Sequence, residues 1–273
     1  MAKTGPGWER DRRNHFDDIV DIYNKARPEY PDKLFMDIFD YIGLSNCKKA
    51  VEVGAGTGKA TLPFLDAEYN VTAVEISENM VDFMKVRFRC YKDFNTIVTA
   101  FEDAELEADS YDLVYAANAF HWVDAEIGCP KVMQLLKSGG VFALFRYNAN
   151  PADGDDLYES IQKVYEQFYP KPYIRPVRKT YRDFEEPAEV YNSFRFNDLG
   201  AYGFTDISMM FYDGCQTFSA DEYMAYLDTQ SDHRVIPEDD RKALFSGVKE
   251  AIEAHGGYLT NDYIYQLYMG RRP

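Results

Sequence analysis

A short apolar run followed at once by alternating glycines constrains this chain more than any other feature. Residues 50–58 spell Ala-Val-Glu-Val-Gly-Ala-Gly-Thr-Gly, and a helical pattern that contains Leu62 and Leu65 follows. Alternating glycines let the backbone approach a ligand closely, because only glycine adopts a positive φ at little cost. The pattern therefore predicts a buried strand, a ligand-binding loop and a helix, which together form one unit of an α/β fold.

The same alternation of strand and helix continues along the chain. A second apolar run covers 71–75, Ser77 is an N-cap candidate, and Met80 lies on the apolar face of the helix that follows. Three further apolar runs, separated by segments long enough for crossovers, cover 96–99, 111–116 and 140–145. Five strands that alternate with helices predict a parallel, doubly wound sheet.

The segments on either side of this core have other patterns. Before it, two helical stripes are separated by Pro28 and Pro31, which predicts an N-terminal helical segment. After residue 146, the pattern predicts an amphipathic helix at 153–168 and then a loop rich in proline and tyrosine at 169–181, which suits a lid. The remaining predicted elements are a strand at 204–218, a helix that begins after Ser219, a helix that begins at Pro237 and a strand at 258–269. The alternation along this last strand places Tyr263, Tyr265 and Leu267 on one side.

The predicted fold class is thus α/β: a doubly wound, Rossmann-like and mostly parallel sheet of about seven strands, with an N-terminal helical segment and a helical lid after the fifth strand. Open parallel sheets bind ligands at the carboxyl ends of their strands, so Gly54, Glu75, Phe101 and Asn118 are expected at one edge. The predicted regions are an N-terminal helical cap at 1–45, a cofactor-binding core at 46–148, a helical lid at 149–200, and C-terminal strands and helices at 201–273 that complete the sheet.

Composition excludes several classes of protein. The 273 residues are 46% hydrophobic and carry a formal net charge of −16, so a disordered chain is excluded and a nucleic-acid substrate is not expected. No segment has the roughly 18 apolar residues that a membrane span requires, and no signal peptide is evident, which predicts a cytoplasmic protein without a membrane partner. The four cysteines, which form no CxxC pair and predict neither a metal site nor a disulfide framework, are Cys47, Cys90, Cys129 and Cys215.

The residues around the glycine loop distinguish between two kinds of cofactor. A dinucleotide fingerprint that starts at Gly54 would need its third glycine where Lys59 stands. Glu52, two residues before the first glycine, would attract the ammonium group of S-adenosylmethionine, whereas it would repel a pyrophosphate. Glu75, at the end of the second strand, can accept both hydroxyl hydrogens of a ribose, a feature that NAD-binding proteins share.

Residues 46–148 resemble the class I S-adenosylmethionine-dependent methyltransferases, most closely the subgroup of trans-aconitate methyltransferase-like enzymes. Besides the glycine loop, the resemblance rests on Ala-Phe-Glu-Asp at 100–103 and on Tyr-Asp-Leu-Val-Tyr-Ala-Ala-Asn-Ala-Phe-His-Trp at 111–122. Tyr23 and Arg-Pro-Glu-Tyr-Pro at 27–31 resemble the segment that closes over the cofactor in this subgroup. Thr-Gln-Ser-Asp-His-Arg at 229–234 is also similar to the subgroup, without an assigned role. Asn118 departs from it, since many relatives carry Gln or Ser there.

The resemblance implies a site for S-adenosylmethionine in which an acidic residue lies beside the adenine amino group, while Phe101 or Ile76 packs against the ring. His121 is the candidate catalytic residue, as a base or as an orienting group. The residues predicted to bind the cofactor are Glu52, Gly54, Ala55, Gly56, Thr57, Gly58, Glu75, Ile76, Met80, Phe101, Glu102, Asp103, Asn118, Ala119, Phe120, Trp122, Tyr23 and Arg27.

The predicted function is in-line transfer of the sulfonium methyl to a small-molecule acceptor. Two kinds of acceptor fit the sequence: a small carboxylate held by a cation, or an apolar, planar compound held by aromatic side chains. The candidate cations are Arg27, Arg146, Arg175, Arg178, His233 and Arg234. An NAD-dependent oxidoreductase and a non-catalytic S-adenosylmethionine-binding protein are the alternative predictions, and the sequence leaves the oligomeric state open.

Overall fold

A computed structural model describes residues 19–43, 48–151, 154–185, 195–196 and 198–273. The first part of the predicted helical cap, residues 1–18, and part of the predicted lid, residues 186–194, lie outside the described residues. The helices are α1 Val20–Ala26, α2 Asp32–Ile42, α3 Thr61–Asp66, α4 Glu78–Arg87, α5 Ala125–Leu135, α6 Asp156–Phe168, α7 Arg182–Glu185, α8 Ala220–Asp228, α9 Ser231–Arg234 and α10 Glu238–Ala254. The strands are β1 Lys49–Val53, β2 Asn70–Glu75, β3 Phe94–Val98, β4 Tyr111–Ala117, β5 Leu136–Asn150, β6 Thr205–Ser219 and β7 Tyr258–Arg271.

The strands form one sheet of seven strands in the order β3-β2-β1-β4-β5-β7-β6. Neighbours from β3 to β5 are parallel, whereas β7 is antiparallel to both β5 and β6. This confirms the predicted α/β class and the mostly parallel sheet. The chain order reverses between β1 and β4, so the carboxyl ends of these two strands form the crevice in which such sheets bind ligands.

Local sequence signals account for most element boundaries. Ser77 caps α4, because its hydroxyl oxygen accepts from the Met80 amide at 3.1 Å. Ser219 and Glu222 form a reciprocal capping box at the start of α8, as the spelling predicted. Two elements differ from the prediction: β5 extends on both sides of 140–145, and α6 begins only after Asp155, whose side chain caps it by accepting from the Leu157 amide.

The apolar residues are buried in three clusters. One face of the sheet packs against α2, α3 and α4, and includes Tyr263, Tyr265 and Leu267 of β7, which the alternation placed on one side. The other face packs against α5 and contains Phe101, Phe120 and Phe142. A third cluster joins α6, α8 and α10 into a helical layer beside the carboxyl ends of the strands. Among the described helices, none is long and apolar enough to cross a membrane.

Candidate functional site

The glycine loop between β1 and α3 has the backbone conformation that its sequence predicted. Gly54, Gly56 and Gly58 all have positive φ, at +66°, +57° and +77°. A Cβ atom on Gly54 would lie 2.6 Å from the Cβ of Ala119, and one on Gly58 would lie 2.4 Å from the Phe88 ring. Among the described residues, a Cβ at Gly56 would meet only the Tyr23 ring, at 3.9 Å. Gly56 is therefore the open centre of the loop, where a ligand can reach the backbone.

Glu75 holds this loop in place. One carboxylate oxygen accepts from the Gly56 amide at 2.8 Å, and the other accepts from the Ser77 amide at 3.0 Å. The residue is 9% exposed. Each carboxylate oxygen has a further lone pair, so the predicted ribose contact and the observed loop contact are compatible. The sequence did not indicate this second role of Glu75.

Glu52 is a buried carboxyl group directly below the loop, 1% exposed. Its Oε2 accepts from the Tyr115 hydroxyl at 2.9 Å and from the Thr61 hydroxyl at 2.5 Å. Burial raises the pKa of Glu52 to about 8 in spite of these two hydrogen bonds. Within the described chain, its Oε1 and the Thr57 hydroxyl are buried without a hydrogen-bond partner. Such atoms indicate a missing polar ligand, and an ammonium group would match this carboxyl group.

Asn118 follows β4 and lies in the left-handed region, with φ +51°, which Asn tolerates better than most residues. Its amide donates to the Phe145 carbonyl at 2.9 Å, and its side-chain oxygen accepts from the Tyr147 amide at 3.3 Å. Phe120, two residues later, is fully buried against Phe142. Asn118 thus joins β4 to β5 at the crevice, and Phe120 supports the turn from the core.

The predicted adenine-binding residues lie along the neighbouring strand ends. Phe101 and Met80 are buried, whereas Ile76 is half-buried. Asp103 is exposed, and Glu102 accepts from the Asp124 amide at 3.2 Å, which holds the start of α5. Ile76 and Asp103 therefore present surface that a ligand can reach, while Phe101 belongs to the core.

Arg27 connects α1 to the C-terminal helical layer. Its guanidinium donates to the Tyr147 hydroxyl at 3.3 Å and to the Thr229 carbonyl. The guanidinium carbon lies 5.0 Å from the centre of the Tyr23 ring and 5.9 Å from that of Tyr226. Its Nε is buried and has no hydrogen-bond partner among the described residues. These contacts hold Tyr23 over the open centre of the glycine loop.

A cavity of about 1090 Å³ opens beside these residues. Five of the predicted site residues line it: Tyr23, Arg27, Asn118, His121 and Trp122. The rest of the lining includes the predicted cations Arg146 and His233, and it is rich in tyrosines that the sequence did not bring together, from β5, α6, the loop after α6, α8 and β7: Tyr147, Tyr158, Tyr165, Tyr169, Tyr173, Tyr223, Tyr226 and Tyr258. The 22 tyrosines of the chain were the available signal, but sequence alone does not bring them together.

Charged groups in the cavity differ from the predicted set of cations. Arg175 is paired with Glu159 and Glu166, and it lies outside the cavity lining. Arg178 pairs with Asp262, and Arg234 lies 3.6 Å from Asp228. Arg27 and Arg146 line the cavity, and neither forms an ion pair with an Asp or Glu of the described chain. These two guanidiniums are the predicted cations best placed to meet a ligand, whereas His233, which also lines the cavity, has its Nδ1 2.9 Å from Asp232.

His121 is half-buried, with its ring centre 5.1 Å from that of Trp122 and 6.4 Å from that of Phe196. Burial, with the positive charges of Arg146 and Arg27, lowers the pKa of His121 to about 3. A ring of such low basicity is a weak general base at neutral pH. Of the two roles predicted for His121, base and orienting group, the low pKa therefore favours the orienting group.

We expect His121 to remain neutral in the folded protein down to about pH 4. The unfolded chain takes up this proton near pH 6.5, so the free energy of unfolding should fall as pH decreases from 6.5 towards 3. His121→Asn should remove this part of the pH dependence. NMR titration of the ring signals, assigned by their loss in His121→Asn, measures the pKa directly. A His121 ring that titrates near 6.5 would contradict the assignment.

The fold and the site together describe an open α/β sheet with a glycine loop at its central crevice and a cavity of about 1090 Å³ beside it. Residues 51–144 match a family model described as a methyltransferase domain. This match assigns the region from β1 to β5, which includes the glycine loop, to a methyltransferase domain.

Known relatives agree with this assignment. An uncharacterised methyltransferase of Mycobacterium bovis is 29% identical over 135 residues, which are 50% of this chain and 53% of that protein. The chain thus spans about half the length of this relative. An uncharacterised methyltransferase of Schizosaccharomyces pombe is 24% identical over 237 residues, 86% of each chain. Both similarities are to methyltransferases whose acceptors their names do not state.

One solved structure with the same fold is phosphoethanolamine N-methyltransferase 2 of Haemonchus contortus, in complex with phosphomonomethylethanolamine and S-adenosylhomocysteine. It superimposes with a TM-score of 0.53 at 14% identity, over 100% of this chain and 61% of that chain. At this identity the likeness establishes the fold alone.

Proposed function

We propose that the protein transfers the sulfonium methyl of S-adenosylmethionine to a small-molecule acceptor bound in the cavity of about 1090 Å³. The observation that carries this proposal is the position of Tyr23. Its ring lies over Gly56, the open centre of the loop, and also lines the cavity. A ligand at Gly56 and a ligand in the cavity would both border Tyr23, so the two sites adjoin, as in-line transfer requires.

In this proposal, the glycine loop and the carboxyl groups below and beside it bind the cofactor. Glu52 accepts from the ammonium group, Thr57 offers its buried hydroxyl, and Glu75 accepts from the ribose hydroxyls. The bound cofactor supplies an electrophilic methyl group. An ammonium close to Glu52 would restore the ionised form that burial now disfavours, so binding of the positive group and ionisation of Glu52 support each other.

The acceptor is held by the cavity wall. Arg27 and Arg146 face it with guanidinium groups that can bind an acidic substituent in a bidentate way. Neutral His121 orients the acceptor by a hydrogen bond, and the tyrosine side chains pack against its apolar surface and exclude water. The likeness to the trans-aconitate methyltransferase-like subgroup supports an acidic acceptor, whereas the aromatic lining supports a planar one. The predicted cytoplasmic location and lack of a nucleic-acid partner rest on the sequence and remain predictions.

S-adenosylhomocysteine should stabilise the protein against heat, and NAD should not. A ligand at about 100 times its Kd adds roughly 2.7 kcal/mol to the free energy of unfolding. For a chain of this size, this corresponds to a rise in Tm of about 5–10 °C. Differential scanning calorimetry with either ligand measures the shift. A shift with NAD alone would support the oxidoreductase alternative instead.

The same material then serves for an acceptor screen. Small carboxylates and phenols are incubated with S-adenosylmethionine, and mass spectrometry records the gain of one methyl group. Methylation of a compound by the wild-type protein, with none by the Gly56→Asp variant of the glycine loop, supports the proposed function. Cofactor binding without methylation of any compound in either set would favour the non-catalytic alternative.

A further inference from the structure

The segment at 229–234, which has no role in the proposed function, contributes to a hydrogen-bonded chain on the cavity wall. The Tyr165 hydroxyl oxygen lies 2.7 Å from Nε2 of His233, and Nδ1 of His233 lies 2.9 Å from Oδ1 of Asp232. The Tyr169 hydroxyl donates to the other Asp232 oxygen at 3.0 Å. All four side chains line the cavity. Residues of α6, α9 and the loop after α6 thus meet in one hydrogen-bonded group on the cavity wall.

When the His233 imidazole is neutral, the donor and the acceptor of each hydrogen bond in this chain are determined. An ionised carboxylate only accepts, so Nδ1 of His233 carries the ring proton and donates it to Asp232. Burial opposes the ionisation of Asp232, but hydrogen bonds from His233 and Tyr169 outweigh it and lower its pKa. Nε2 is then an acceptor, and the Tyr165 hydroxyl donates a hydrogen bond to it.

Packing keeps the His233 ring in this orientation. The side chain is buried, and its ring meets those of Tyr165 and Tyr169 edge to face, at 5.7 Å in both cases. The backbone carbonyl of Thr229, four residues earlier and fully buried, accepts from Arg27. The hydrogen-bonded chain therefore belongs to the same rigid wall that carries the acceptor-facing guanidinium of Arg27.

The Tyr165 hydroxyl has one hydrogen, which it donates in a hydrogen bond to Nε2 of His233. Towards the cavity, the Tyr165 oxygen can therefore only accept a hydrogen bond. We propose that Tyr165 determines which methyl acceptor binds, because its hydroxyl oxygen accepts a hydrogen bond from a hydroxyl group of that compound. His233 and Asp232 are positioning residues that keep the Tyr165 hydroxyl hydrogen directed away from the cavity. This inference rests on the proposed function and narrows the acceptor to a hydroxyl-bearing compound. An analogue in which that hydroxyl is an ether would place lone pairs against lone pairs and bind less well.

The first experiment measures which nitrogen of His233 is protonated. Long-range ¹H–¹⁵N NMR of the full chain at pH 8 distinguishes the two tautomers, and the His233→Gln variant assigns the signals among only four histidines. The expected form is Nδ1–H, with a shift towards Nε2–H in Asp232→Ala. Tyr173→Phe alters another tyrosine of the cavity wall, whose hydroxyl donates to Gln162 and lies outside this chain of hydrogen bonds, so it should leave the tautomer unchanged. A wild-type ring protonated at Nε2, alone or together with Nδ1, would overturn the proposal.

The second experiment compares 4-fluorophenol with 4-fluoroanisole, in which a methyl group replaces the hydroxyl hydrogen and removes the hydrogen-bond donor. Fluorine NMR titrations in saturating S-adenosylhomocysteine should give a Kd about 2- to 10-fold lower for the phenol. The preference should vanish in Tyr165→Phe and persist in Tyr173→Phe. Equal affinities in the wild type, a preference that survives Tyr165→Phe, or no binding of either probe would each overturn the proposal.

Failure of the proposed function is recognised separately. Calorimetry of S-adenosylhomocysteine on the same samples tests the cofactor site, whereas the tautomer of His233 is measured without any ligand. A protein that binds no S-adenosylhomocysteine but shows Nδ1–H would refute the methyltransferase proposal and leave the hydrogen-bonded chain established. Circular dichroism of Tyr165→Phe and Asp232→Ala verifies that both variants fold.

Discussion

Gly56→Asp should abolish binding of S-adenosylhomocysteine while the protein still folds. The new carboxylate would occupy the open centre of the glycine loop, and it would stand beside Glu75, whose Oε2 is 2.8 Å from the Gly56 amide. Repulsion between two carboxylates and the left-handed φ of +57° both disfavour the loop conformation that meets the ligand. We expect a loss of affinity of at least about 1000-fold, equivalent to about 4 kcal/mol.

A matched control separates this effect from backbone strain. Gly139 has φ +77°, and an added Cβ would meet no atom of the described residues within 4 Å, so Gly139→Asp introduces the same side chain in a similar conformation away from the loop. Gly139→Asp should lose about 1–2 kcal/mol of stability to backbone strain, and Gly56→Asp should lose more, because Glu75 also repels its carboxylate. Isothermal titration calorimetry should then find normal affinity in Gly139→Asp. Normal affinity in Gly56→Asp as well would mean that the glycine loop is only a turn.

The sequence predicts the elements of this fold well because their signals are local. The run of apolar residues before Gly54, the cap at Ser77 and the alternation along β7 each depend on neighbours within one element, and the structure confirms all three. The position of β7 between β5 and β6 is different. It depends on the pairing of strands that are far apart in the chain, which no local pattern encodes.

In the candidate site too, the features that depend on neighbouring residues could be predicted, whereas those that depend on distant residues could not. The glycine loop could be found because its chemistry lies in five consecutive residues. The contact of Arg27 with the Thr229 carbonyl joins residues 202 positions apart, and that of Tyr165 with His233 spans 68. The low pKa of His121 likewise arises first from burial by the surrounding elements, and then from arginines on β5 and at the C-cap of α1. Composition indicates that such residues are available, but only the packed helical layer brings them to one cavity.

Glu75→Ala is the variant for which the structure changes the expected result most. From sequence, the carboxylate is a ribose ligand, and its loss should weaken only cofactor binding. In the structure it also accepts from the amides of Gly56 and Ser77, which alanine would leave without their acceptor. Hydrogen bonds to a charged acceptor contribute about 1.5–3 kcal/mol each. We therefore expect affinity for S-adenosylmethionine to fall by about one to three orders of magnitude, together with a measurable loss of stability.

Two further variants distinguish these roles of Glu75. Glu222→Ala removes a carboxylate that also accepts from a backbone amide at a helix start, that of Ser219 at 2.8 Å, but in a capping box outside the cavity lining. It should cost about 1 kcal/mol of stability and leave affinity unchanged. Glu75→Gln retains one amide oxygen as acceptor but loses the charge, and should lie between Glu75→Ala and the wild type in both quantities.

The methyl-transfer step itself should be affected much less than binding in Glu75→Ala. If the ribose contact is equally strong in the ground state and the transition state, its removal raises KM for the cofactor and leaves kcat within about tenfold of the wild type. Titration calorimetry and initial rates at saturating cofactor measure the two quantities independently. An unchanged Kd in Glu75→Ala, alongside a stability loss like that of Glu222→Ala, would assign Glu75 to the support of the loop alone and remove it from the cofactor site.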